Sequence, residues 1–298
     1  MNKVILLGTA TAMLATAPFA KANGPIDGKL YGKINASVVN TASGSEDTWK
    51  LNSNASRIGV KGSTQVSEGL TVFYKTEFEV DVDDDVFKQR NIYAGVKGRF
   101  GSILAGKNDT PTKLAQKKID LFNDLEGDIM KTFAGENLMS NIIAYTTPKY
   151  GNFSATYAVM PGEEDGGSLS DASSYSVNYS KGDLYVAVAG DSNVKGADLV
   201  RVVSQYKVDA WQLGLMYQDN DTTDESGYFA SAAYKIDNIT YKAQYGSNEN
   251  DTDGSDKTTL SLGADFKLAK NTKSFVFFTD NEDSSSTKTF GLGLEHKF

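Results

Sequence analysis

Beyond the first two dozen residues, apolar and polar side chains alternate in short runs. Leu30, Gly32, Ile34, Ala36 and Val38 interleave with Tyr31, Lys33, Asn35 and Ser37. Leu70, Val72, Tyr74, Thr76, Phe78 and Val80 interleave with Thr71, Phe73, Lys75, Glu77 and Glu79. The same pattern sets Trp211, Leu213, Leu215 and Tyr217 against Gln212, Gly214, Met216 and Gln218, and Ile239, Tyr241, Ala243 and Tyr245 against Thr240, Lys242, Gln244 and Gly246. A period of two sends successive side chains to opposite faces, so each run predicts a strand with one apolar and one polar face. Very short connections (Lys181-Gly182-Asp183, Ile236-Asp237-Asn238, Arg99-Phe100-Gly101) alternate with longer acidic or Ser-rich ones at 41–48, 161–172, 220–226, 248–256 and 281–286. The whole reads as about sixteen strands, with eight longer connections at one end and seven turns at the other. Two stretches, 90–96 and 199–206, carry apolar residues on both faces.

Periodicity alone does not say which face is inside. A soluble sandwich buries the apolar face between sheets, whereas a membrane barrel turns it to lipid and keeps the polar face around water. Three features favour the barrel. Aromatics gather toward strand ends (Tyr31, Tyr93, Tyr145, Tyr157, Tyr185, Tyr217, Tyr228, Tyr234), as an interfacial girdle requires. The polar face carries long charged side chains, among them Lys33, Arg57, Lys61, Lys75, Glu77 and Glu79. Short and long connections alternate strictly. Lipid leaves no backbone group unpaired, so such a sheet must close, and sixteen strands close around an aqueous channel. The fold class is therefore all-β: a 16-stranded antiparallel transmembrane barrel.

The first 22 residues differ from the rest. Lys3, an apolar core over residues 4–17 and Ala20-Lys21-Ala22 form a secretory signal pattern with cleavage after Ala22, leaving one barrel domain over 23–298. The 298 residues include no cysteine and one histidine, which excludes thiol nucleophiles, disulfides and multi-histidine metal sites. A net charge of -8, becoming -10 once Lys3 and Lys21 are removed, argues against a nucleic-acid partner. No nucleophile elbow accompanies the lone His296, so catalysis is not expected. The acidic stretches at 81–85 and 251–256 lack the ligand order of a calcium loop and read as solvated surface. No metal or other cofactor is predicted.

Several stretches, in this order and spacing, resemble the general trimeric porins of Gram-negative outer membranes. They are Leu30-Tyr31-Gly32-Lys33, then Ser56-Arg57-Ile58-Gly59-Val60-Lys61-Gly62, Glu68-Gly69-Leu70, Glu77-Phe78-Glu79, Gln89-Arg90-Asn91-Ile92-Tyr93-Ala94-Gly95-Val96-Lys97-Gly98-Arg99-Phe100-Gly101 and Ala105-Gly106-Lys107-Asn108. The closing Phe290-Gly291-Leu292-Gly293-Leu294-Glu295-His296-Lys297-Phe298 resembles the family's assembly signal, with Phe298 at its end, and implies the barrel assembly machinery as a partner. The resemblance further implies outer-membrane localisation, contact with lipid and lipopolysaccharide, and a homotrimer. In the family, subunits meet at the early strands and the second loop, here near Asp81 to Asp85. Gly32, Ala36 and Ser56 read as small outward residues suited to that contact.

One connection, from about 108 to 138, is far longer than the others and too apolar for a disordered tail, with Leu114, Ile119, Leu121, Phe122, Leu125, Ile129, Met130 and Phe133. It resembles the porins' third loop, which folds into the barrel and narrows it. On that resemblance Asp120, Asp124, Glu126 and Asp128 are the acidic lining of the constriction, and Lys33, Arg57, Arg90, Lys75 and Lys107 the basic wall opposite. Opposed charges across a water-filled throat would set up a transverse field of about kcal scale per pair, favouring polar solutes. The sequence departs from the family near Leu138-Met139-Ser140-Asn141, where some members carry another wall Arg. The expected function is passive diffusion of small hydrophilic solutes and ions with mild cation selectivity. A sugar-specific channel is the alternative, but it would need a sustained aromatic track, and only Tyr31 and Phe73 read as inward-facing.

Overall fold

The computed structural model describes residues 28–84 and 87–298. The proposed signal segment and Asp85 of the acidic second loop lie outside the described residues. The first strands are β1 (Gly28–Ser43), β2 (Glu46–Ser53), β3 (Arg57–Ser67), β4 (Leu70–Val80), β5 (Phe87–Gly98) and β6 (Gly101–Asp109). A short helix α1 (Pro111–Ala115) and a 3-10 turn (Ile129–Lys131) occupy the next connection. Then come β7 (Leu138–Thr146), β8 (Phe153–Met160), β9 (Ala172–Lys181), β10 (Leu184–Val194), β11 (Ala197–Val208) and β12 (Trp211–Asn220). The chain finishes with β13 (Glu225–Ile236), β14 (Ile239–Asn250), β15 (Asp256–Ala269), β16 (Thr272–Glu282) and β17 (Ser286–Lys297).

Seventeen segments make sixteen staves, because β2 and β3 both pair with β1 and form one stave interrupted at Asn54–Ser56. Each stave is antiparallel to its neighbours, and β1 pairs with β17 from Lys33↔Lys297 to Ser43↔Thr287, so the sheet closes on itself. The last residue completes that seam. The Phe298 N–H donates to the Gly32 carbonyl at 3.1 Å and the Gly32 N–H to the Phe298 carbonyl at 3.0 Å. The Phe298 ring lies on the outer face over Gly32, where any Cβ would come within 2.4 Å of it.

The alternation resolves as the barrel predicts. On β1, Leu30, Ile34 and Val38 are exposed while Lys33, Asn35 and Ser37 are buried. On β12, Trp211, Leu213, Leu215 and Tyr217 are exposed while Met216 and Gln218 are buried. Apolar surface turned outward and polar surface inward is the inverse of a soluble domain, and stable only against lipid. Of the eight expected girdle aromatics, Tyr145, Tyr157, Tyr217 and Tyr228 are exposed outside, and Tyr234 stacks on the outward Trp211 at 4.5 Å. Tyr31, Tyr93 and Tyr185 face inward instead: each shares strand parity with polar wall residues, which the position of a tyrosine near a strand end does not reveal.

The alternation of connections holds only in part: on the side expected to be long, 195–196 is a two-residue turn and 283–285 has three residues, while 147–152 on the short side has six. The stretch 41–48 is no loop, because β1 and β2 stay paired as far as Ser43↔Glu46 and leave a two-residue turn. The irregular stretch 90–96 marks a bulge. The β4–β5 register shifts between Thr76 and Phe78, so Arg90 and Asn91 both reach the interior. In 199–206, Leu199 and Val203 are inward and buried, because a segment inside the barrel covers that part of the wall.

Candidate functional site

The 110–137 segment begins with a short helix not anticipated from the sequence. Thr110 caps α1, its hydroxyl accepting from the Lys113 N–H at 3.3 Å, and Pro111 fills the first helical position, where no N–H is needed. The chain then lies against the inner wall. Ala115, Ile119, Ile129 and Phe133 form a buried cluster with inward residues of β10–β13, including Tyr185, Val203, Met216 and Phe229. Phe122, with Leu121 and Leu125, packs on Val39 of β1 and on Phe275 and Phe277 of β16. The Phe122 ring sits over Gly263, where an added Cβ would come within 2.9 Å of it.

Between these clusters the contacts are polar and specific. Gln244 accepts from the Leu121 N–H at 2.9 Å and donates to the Gly127 carbonyl at 2.5 Å. Lys242 donates to the Leu121 carbonyl at 3.0 Å, sits 4.5 Å over the Phe122 ring and pairs with Asp265 at 2.9 Å. Arg201 is fully buried. It pairs with Glu136 at 2.7 Å and donates to the Ala134 carbonyl at 2.7 Å and to Gln218 at 2.9 Å. Nothing in the sequence pattern singled out Arg201, Lys242 or Gln244. Period two places Lys242 and Gln244 on the polar face of their strand, but it does not mark which polar-face residues hold a loop.

The four expected acids are unevenly used. Asp124, at positive φ on the tip, meets the basic wall, with Lys33 Nζ and an Arg57 guanidinium nitrogen each 2.7 Å from its Oδ2. These cations hold its carboxyl below the usual range against the opposing effect of burial. Asp120 and Asp128 are buried and turned to the segment's own backbone. Asp120 accepts the Phe122 and Ile129 N–H groups at 3.0 and 3.1 Å, and Asp128 accepts those of Met130 and Asp124 at 2.9 and 2.8 Å. Burial, reinforced by the neighbouring Asp128, pushes Asp120 up to about 8. Glu126 accepts from Asn52 at 2.8 Å. Asp124 is thus an ion-paired tip, and Asp120 and Asp128 also brace the loop, because buried amides inside an irregular segment need acceptors; all four acids border the cavities around the tip.

On the wall, Arg57, Arg90 and Lys75 gather round the buried Glu77. Arg90 Nε lies 3.2 Å from it, Lys75 Nζ 3.2 Å and Arg57 3.9 Å, while Tyr31 donates to it at 2.8 Å. Arg90 also pairs with Glu79 at 2.5 Å. The interruption at Asn54–Ser56 positions Arg57. Ser56 is fully buried and bonded to Asn35, so it is not the outward small residue expected from sequence. Lys107 does not join the cluster. It is paired across the sheet with Ile92, itself opposite Thr76 on the outward-facing parity of β4, and has no ion pair among the described residues. Beside the tip, a cavity of about 330 Å³ is bounded by Arg57, Arg90 and Asp109 on the wall and by Asp120, Asp124 and Asp128 on the loop. Below it, one of about 700 Å³ reaches past Tyr31 and Lys61.

A closed sheet with an apolar exterior, enclosing an ionised interior and a folded segment packed on its inner wall, defines an outer-membrane channel. Residues 9–286 match the family model described as Gram-negative porin, and the chain belongs to that family. Outer membrane porin protein 32 of Delftia acidovorans is 25% identical over 329 residues, covering 97% of this chain and 92% of that protein. OmpF of Salmonella typhi, solved in complex with daunomycin, superposes with a TM-score of 0.74 at 17% identity, over 91% of this chain and 97% of its own. OmpT of Vibrio cholerae in its trimer form gives 0.69 at 18% identity, over 91% and 99%. Members of this family are channels, not enzymes, and this chain is an outer-membrane porin.

Proposed function

We propose that the protein is a general diffusion porin, passing small hydrophilic solutes and ions with mild cation selectivity. The observation that carries this reading is the arc of wall left uncovered by the 110–137 segment. There Arg57, Lys75, Glu77 and Arg90 border open cavities of about 330 to 700 Å³, with no continuous aromatic track among the described residues. A solute there meets charges of both signs, which favour a dipole and give nothing to an apolar molecule. Mild cation preference is supported by the chain's net charge of -8 and the acid-rich long connections, which concentrate cations at one mouth. Liposome swelling with sugars of graded mass tests the general reading. Rates that fall smoothly with mass support it, and saturation by one sugar overturns it. A reversal potential of anion-selective sign under a salt gradient would overturn the ion preference.

We infer a homotrimer on two supports, the trimer form of the OmpT relative and an exposed apolar exterior over β1–β3 that includes Leu30, Ile34, Val38 and Ile58. Lipid and lipopolysaccharide would cover the rest of the outer face, and the Phe298 end would be read by the barrel assembly machinery. Residues 1–22 would be removed on export. Migration as a heat-sensitive high-mass band tests the trimer, and a monomer band without heating would contradict it.

A further inference from the structure

At the short-turn end of the uncovered arc, the register brings three lysines into one row. Lys29 of β1 lies directly opposite Lys61 of β3, Lys61 opposite Lys75 of β4, and Lys75 opposite Tyr93 of β5. Like charges directly opposed across neighbouring strands repel. Only Lys75 has a carboxylate in reach among the described residues. That group is Glu77, already shared with Arg57 and Arg90. Lys29, Lys61 and the nearby Lys97 have no ion pair among the described residues, and all three are exposed to the interior.

Flat aromatic surfaces flank this row. Phe73 lies with its ring over Gly95, where a Cβ would come within 2.5 Å of it, and meets Tyr93 edge-on at 6.2 Å. On the other side the Tyr31 ring covers Gly59 and carries the Lys61 ammonium 5.0 Å from its centroid. The two glycines matter because they let the rings lie down along the wall rather than stand in the lumen. Tyr31 lines the adjoining cavity of about 700 Å³, and the four lysines with Phe73 and Tyr93 bound one of about 590 Å³.

We propose that this cavity binds organic anions with a flat apolar body, of which aromatic carboxylates are the simplest. The carboxylate takes the charge that the lysine row lacks, bridging Lys61 and Lys75. The ring packs against Phe73 and Tyr93, trading water for apolar surface. The inference rests on the channel reading above, in that the anion reaches the cavity through the lumen. The site acts as a way-station, concentrating such solutes on one side of the constriction. Because the lysines face water, the attraction is screened by salt and weakens as ionic strength rises.

The test uses benzoate, with acetate as the same head without the ring. In single-channel recordings at low salt, benzoate is expected to reduce the current at concentrations where acetate has no effect. Lys61→Gln should raise the half-blocking concentration at least threefold. Phe73→Leu should do so for benzoate while leaving the acetate response where it was. Saturation-transfer NMR on the detergent-solubilised protein reads binding without requiring conduction, and should show benzoate ring protons in contact for the parent chain and a reduced signal for Lys61→Gln. Folded variants are recognised by their heat-sensitive migration. Normal potassium chloride conductance with benzoate and acetate equivalent, or a benzoate signal unaffected by either substitution, overturns the site alone. No conductance in potassium chloride overturns the channel reading, and the NMR signal then decides the site separately.

Discussion

The inner wall of this barrel has two arcs. Over β10–β16 it is covered: Val203, Met216, Phe229, Phe275 and Phe277 meet apolar side chains of the 110–137 segment, and Arg201, Lys242 and Gln244 hold its backbone. Over β3–β6 it is bare, and Arg57, Lys75, Glu77, Glu79 and Arg90 are paired with one another and with the Asp124 tip. The covered arc behaves like a protein core, dry and close-packed, while the bare arc keeps its charges where solutes can reach them. One segment therefore does two jobs, covering one side of the inner wall and presenting a charged tip to the other.

Substitutions that separate the arcs have graded effects. The largest is expected at Arg201. Arg201→Met strands Glu136 in a buried site, a loss of about 3–5 kcal/mol, whereas removing both charges in Arg201→Met/Glu136→Leu recovers much of it. The readout is protease cleavage within 110–137 in the solubilised protein, new in the single variant and reduced in the double. Phe133→Ala empties a buried site and is expected to cost about 3 kcal/mol or more, seen as larger and noisier single-channel currents. On the bare arc, Asp124→Asn leaves the fold intact but frees Lys33 and Arg57. The reversal potential under a salt gradient should move toward anions, and a shift toward cations would contradict the tip's assignment.

The smallest effect is titration of Asp120. Its folded value of about 8 lies above the ordinary carboxyl value of 3.8, so the folded segment favours the neutral form. The stability this contributes is full below about pH 4, falls as pH rises toward 8 and is absent above it. Current noise should increase from pH 6 to pH 9 in the parent chain, and Asp120→Asn should flatten that dependence.

Most of the architecture was legible because period two is a direct image of a strand with two different surroundings, and Leu30 to Val38 show it without interruption. The misread places share a cause. The bulges at Asn54–Ser56 and Arg90–Asn91 add one residue, reverse parity locally and so sent Ser56 to the wrong face. Lys107 was placed on the wall by its motif, yet its register with Ile92 takes it away from the cluster. Inside the 110–137 segment no periodicity exists to read. The pairing of Glu136 with Arg201, 65 residues apart, is set by how the segment crosses the barrel and leaves no local mark.

The division into a dry arc and a wet one can be tested directly, because the chain contains no cysteine. Arg90→Cys and Gln244→Cys place one thiol on each arc, and a small charged methanethiosulfonate reagent entering through the lumen reports which is wet. Fast modification of Arg90→Cys with a step change in current, and protection of Gln244→Cys, is the expected result; equal rates at the two positions would contradict it.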